Sequence, residues 1–172
     1  MYSVDDKDRV VTLADIPQSS IGAPLPIVLS CEHITVIAFY LNDTSDGWDG
    51  VSVRVITSDT AGEPLAIVRF SICYSSTFGP PNDEAFSGHP LASRGLKPYG
   101  AFVIENSSWI RGLERMNAVH PYHKPERFWT RKHYIFTFHD STFECVADGY
   151  SVEVHESSLS AAMPRMLEHL KL

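Results

Sequence analysis

A chain of 172 residues with 44% hydrophobic content suits one domain and carries enough apolar mass for a substantial core. Its net charge of −7 argues against general nucleic-acid binding through the whole surface. No apolar run approaches the roughly 20 residues that span a bilayer, and the start MYSVDDKDRV has no apolar signal region, so we expect a single cytoplasmic domain with no membrane partner.

Residues 1–20 show little periodicity and read as an N-terminal arm. Gly22, Pro24 and Pro26 punctuate the start of residues 27–41, which are apolar on both faces from Ile34 onward, as in a strand covered on two sides. An acidic loop follows, then a predicted hairpin of 51–57 with 66–74, whose Val68, Phe70, Ile72 and Tyr74 share one face. Residues 75–98 are too rich in Gly, Pro and Ser for a regular element. Phe78, Phe86, Leu91 and Leu96 make them a long loop that packs down as a cover.

A strand is predicted at 99–105, and Asn106-Ser107-Ser108 then caps a helix to about Ala118 with Trp109, Ile110, Leu113 and Met116 on its apolar stripe. Residues 121–132 read as a loop. The segment 133–155 predicts a three-stranded meander, 134–138, 142–146 and 150–154, turning at Asp140-Ser141 and Asp148-Gly149. Alternation sends Tyr134, Phe136, Phe138, Phe143, Cys145 and Ala147 to one face, and His133, Thr137, His139 and Glu144 to the other. A last helix opens at Ser157 or Ser158, and Pro164 should kink or divide it. The fold class is α+β: a mostly antiparallel, strongly curved sheet or small open barrel of seven or eight strands with two helices packed on it.

Chemistry-bearing residues gather in the second half. His120, His123 and His139 are candidate ligands for a divalent metal, which wants imidazoles and carboxylates converging from several directions. The meander register places Glu144 opposite Glu153; like charges across a ladder need relief, so His139, Glu144 and Glu153 are candidate catalytic groups. An open, solvated sheet face is the plainer alternative for all of them. The helix start at Ser107 and Ser108 suits an anion, with Arg111 one turn on and Arg94 or Lys97 in the covering loop closing over it, and His89 is a lid residue of that loop; ordinary capping and a turn histidine explain the same residues.

Cys31, Cys73 and Cys145 form no CxxC pair and read as reduced core thiols, and Ser141 beside His139 and Asp140 is turn chemistry rather than a triad. Between Arg111 and Lys132 six cations face two acids, against an acidic first fifty residues. The expected function is a binding domain holding a small, anionic ligand or a partner segment on a concave His/Arg-rich polar sheet face. The alternatives are a metal-assisted hydrolase built on the His/Glu cluster, and a protein-interaction or assembly module.

Overall fold

Apolar alternation organises the chain into β1 (Arg9–Thr12), β2 (Ile27–Ser30), β3 (Ile34–Tyr40), β4 (Glu63–Gly79), β5 (Ala101–Glu105), α1 (Ser108–Asn117), the single-turn α2 (Glu126–Trp129), β6 (Lys132–Thr137), β7 (Thr142–Ser157) and α3 (Leu159–His169). The computed structural model describes residues 2–42 and 55–171. Among these, the seven strands form one antiparallel sheet in the order β1-β5-β6-β7-β4-β3-β2, the α+β arrangement expected. No helix among the described residues is long and apolar enough to cross a membrane.

The sheet curls around its aromatic face. β3 and β6 are separated by two strands, so in a flat sheet they would lie about 14 Å apart. Yet the Phe39 ring of β3 lies 5.1 Å from Phe138 and 6.1 Å from Phe136. Phe70, Phe143, Cys145 and Ala147 complete this concave core. Its interior is filled: the space among Ile16, Phe39, Phe136 and Phe138 is about 10 Å³. The arm after β1 spans the open side, where Leu13 donates to the Ala101 carbonyl and Ser20 donates to that of Tyr40. On the convex face, α3 covers β3 and β4 through Leu159, Ala162 and Met166. The loop after β4 covers β5 and β6 through Phe86, Leu91 and Leu96.

Several expectations are corrected. Residues 27–41 are two strands, β2 and β3, forming a hairpin, and β3 is buried on both faces as predicted. Of the strand expected at 51–57, residues 51–54 lie outside the described residues and 55–57 are not strand. β4 runs on through Gly79, so the covering loop begins after it.

The turn expected at Asp148-Gly149 is absent: β7 passes straight through and pairs with β4 from Thr142–Gly79 to Ser157–Glu63. Alternation slips there instead. Ala147 and Tyr150 both pack on the concave core, as do Phe70 and Cys73 opposite, where Ile72 takes a positive φ of 47° and the register shifts between Cys73 and Ser75. Ile72 and Tyr74 are therefore exposed rather than sharing the face of Phe70. Around Asp140-Ser141 the faces are as predicted, but Phe143 pairs with Phe136 rather than Phe138. α3 continues through Pro164, whose missing amide deprives only the carbonyl of the exposed Ser160. Cys73 and Cys145 are buried and reduced, whereas Cys31 is exposed.

Candidate functional site

The polar face lies on the convex side of the sheet rather than the concave side expected, because the aromatic side chains fill the concavity, and it is buried rather than solvated. β7 alternation turns Phe143 and Cys145 inward and Glu144 outward; in β6, Tyr134 and Phe136 turn in and His133 out. The covering loop, α1 and the N-terminal arm close over them, leaving His133 0%, His89 4% and Glu144 6% exposed.

Glu144 is the hub. Its Oε2 lies 3.0 Å from His133 Nε2 and accepts from the Tyr2 hydroxyl at 2.7 Å, while its Oε1 lies 3.2 Å from His89 Nε2. The Leu91 amide donates to His89 Nδ1 at 3.1 Å, so that ring carries its proton on Nε2 and is neutral. The Glu144 carboxylate can only accept, so His133 donates from Nε2, and the Ser107 hydroxyl, which accepts from the Ile110 amide at 3.3 Å, stands 2.9 Å from Nδ1 of the same ring. Burial lowers His133 below the ordinary imidazole range and keeps it uncharged. Burial alone would raise the Glu144 carboxyl, but the donors from His133, His89 and Tyr2 outweigh it and hold the pKa at about 2. Glu144 is thus an ionised carboxylate served by three neutral donors. No Lys or Arg among the described residues pairs with it.

The helix start predicted to take an anion takes one from its own chain. The Ser108 amide donates to Asp8 Oδ1 at 2.6 Å, Ser108 Oγ donates to Asp8 Oδ2, and Arg111 Nη2 lies 3.9 Å from the same oxygen and 2.6 Å from Asp5. Arg94 donates to the Asp8 carbonyl at 3.2 Å. The structure therefore gathers five expected site residues into two neighbouring networks, Arg94, Ser108 and Arg111 around Asp8, and His89 and Ser107 (through His133) around Glu144.

The other candidates do not join it. His123 pairs with Glu114 at 2.6 Å and His120 Nδ1 accepts from the Tyr122 amide. His139 Nδ1 lies 3.0 Å from both Asp83 and the Tyr99 hydroxyl. Among the described residues, no three His, Cys, Asp or Glu side chains converge to hold a metal ion. Glu153 does not face Glu144: it pairs with Ile67, because β7 does not turn back. Burial raises Glu153, and hydrogen bonds from His155 and Arg165 more than reverse that. Ser107, His133 and Glu144 contain the members of a hydrolase triad in series, but Ser107 is 2% exposed and its oxygen caps α1, which leaves no nucleophile facing a substrate.

Above the hub lies a cavity of about 610 Å³, with Glu144 at its floor, Tyr2, Trp109, Leu113, Arg115 and Met116 on its walls, and Ser75 and Thr77 along one side. Gly112 also lines it; a Cβ there would meet only Arg115 Nη2, at 4.0 Å. The Tyr2 ring stacks on Trp109 at 5.4 Å, and His133 abuts Trp109 edge-on at 5.0 Å. Tyr2 and Asp8 sit in an arm without periodicity, and no sequence signal marks them. The outward turn of Glu144 and His133, by contrast, follows from alternation. No protein-family model matches this chain, and comparisons with curated proteins and with solved structures return no match.

Proposed function

We propose that this chain is a binding domain for a small organic cation, an amine-bearing ligand seated over Glu144 on the polar face of the sheet. The observation that carries this is the buried, ionised Glu144 carboxylate, held by neutral donors alone at the floor of an open cavity. The three donors stabilise this charge but bring no positive charge of their own. An ammonium reaching it adds a charge-assisted hydrogen bond on a lone pair they leave free, since a carboxylate accepts about four hydrogen bonds. The Tyr2 and Trp109 faces favour a cation, and Leu113 and Met116 suit an apolar body. An anionic ligand is the weaker form, because Asp8 occupies the cradle at Ser108.

Thermal-shift and calorimetric titration with 2-phenylethylamine, against 3-phenylpropanoate as the matched anion, tests this. The amine should stabilise the protein and the carboxylate should not. Gly112→Leu should fill the cavity without disturbing α1, since Gly costs a helix interior about 1 kcal/mol against better formers, and should abolish the amine response. No response to the amine, or an equal response in Gly112→Leu, would remove the assignment.

A further inference from the structure

The stretch from the end of α1 to the start of β6 exposes its large apolar side chains. Met116 is 74% exposed, Val119 90%, Tyr122 78% and Trp129 76%. Large apolar side chains left in water along one short stretch mark a contact site for another molecule. Met, Tyr, Trp and Arg are also the residue types enriched in such contacts. Interleaved with them, Arg115, Lys124, Arg127 and Lys132 are exposed and have no ion-pair partner among the described residues.

Two adjoining grooves share Phe128 and Arg131. One, of about 730 Å³, includes Lys7, Arg111, Trp129 and Lys132; the other, of about 420 Å³, includes Tyr74 and Met116. The Arg131 guanidinium lies 3.6 Å from the Tyr74 ring centre and 3.8 Å from that of Phe128, and its buried Nε has no hydrogen-bond partner among the described residues. Stacking fixes the plane of this cation before anything binds, as recognition of a carboxylate prefers. The larger groove includes the carboxylate of Glu105, which lies 3.6 Å from Arg9.

We infer that this surface docks an acidic segment of a partner protein, its apolar side chains set among Met116, Val119, Tyr122 and Trp129 and its carboxylates on the surrounding Arg and Lys. Charge complementarity selects the partner: the patch is cationic on a chain whose net charge is −7. Screening over about 8 Å at physiological salt lets a short acidic segment feel the patch alone. A long polyanion such as nucleic acid would also meet the acidic remainder of the chain. This surface adjoins the cavity over Glu144, with which it shares Arg115 and Met116, but Trp129, Arg127 and Lys132 lie outside that cavity.

Fluorescence polarisation of the full chain with three labelled probes of equal length tests the inference: a peptide alternating Asp or Glu with Leu and Phe, an all-Glu peptide, and oligothymidylate. The mixed peptide should bind at least tenfold more tightly than the other two. Trp129→Ala and the pair Arg127→Glu with Lys132→Glu should each weaken it at least tenfold without lowering the melting temperature, because these side chains are exposed. Tighter binding of oligothymidylate, equal binding of the all-Glu peptide, no binding of the mixed peptide, or binding unchanged in the variants would each overturn it.

Discussion

The backbone amide of Ser108 donates to the carboxylate of Asp8 at 2.6 Å, so the first residue of α1 draws its anion from one hundred residues upstream. The positive end of the helix and the free amides there favour such a charge. Asp8→Ala should cost about 1–3 kcal/mol, the range for a hydrogen-bonded buried charge. Because Arg111 and the Ser108 amide remain, sulfate should restore part of the lost melting temperature in the variant and do nothing comparable in the parent. Equal effects of sulfate and chloride on the variant would show that the cradle does not hold a free anion.

Gly149 separates the observed strand from the expected turn. In a type I′ turn its positive φ would exclude a β-branched residue. Here it lies within β7, its φ is outside the left-handed region, and a Cβ would meet only Ser71 Oγ at 3.6 Å. Gly149→Val should change stability by less than about 1 kcal/mol, in either direction, the span of β-propensity effects. Urea denaturation checks this, and a loss several times larger would argue for the turn.

Acid should destabilise the protein in two stages with the same sign. Folded His133 sits below its ordinary value of 6.5, so below that pH the unfolded chain takes a proton the buried ring refuses, and stability falls. Glu144 ionises at about 2 in the folded state against 4.5 ordinarily, so its contribution is complete above 4.5 and is lost as pH drops toward 2. That contribution is about 3 kcal/mol by linkage. Glu144→Gln should lose a comparable amount at pH 7, and the gap to the parent should narrow as pH falls from 4.5 toward 2. A constant gap between the two from pH 7 to 3 would contradict the assigned ionisation.

Phe39 bridges the curl of the sheet, touching both Phe136 and Phe138 from the far side of β4 and β7. Phe39→Ala should cost about 3–5 kcal/mol, since the filled interior has little slack to collapse into the cavity. Phe78→Ala, at a ring 48% exposed on the end of β4, should stay within about 1 kcal/mol. Guanidinium melts of the two variants compare them directly, and similar losses would mean the curvature does not depend on Phe39.

Alternation by itself determined which side of β6 and β7 each residue faces: Phe136, Phe143 and Cys145 inward, His133 and Glu144 outward. Residue type set the cap at Ser107 and three anchors of the covering loop, Phe86, Leu91 and Leu96, whereas Phe78, expected to pack down with them, is half-exposed on β4. These follow from local periodicity and backbone stereochemistry, which need no knowledge of distant segments. The path of the chain at Asp148-Gly149 was not legible there, because a two-residue turn and a slip in alternation both put Ala147 and Tyr150 on the same face. Only pairing with β4, eighty residues away, decided between them. The same holds for the site. Its residues Glu144, His89, Ser107, Ser108 and Arg111 stood out by type, but tertiary structure alone decided that Asp8 would fill the anion cradle and that Tyr2 would join the hub. Those contacts span 142 and 100 residues of sequence, and they form because a buried donor or charge must be satisfied by whatever group the fold brings within reach.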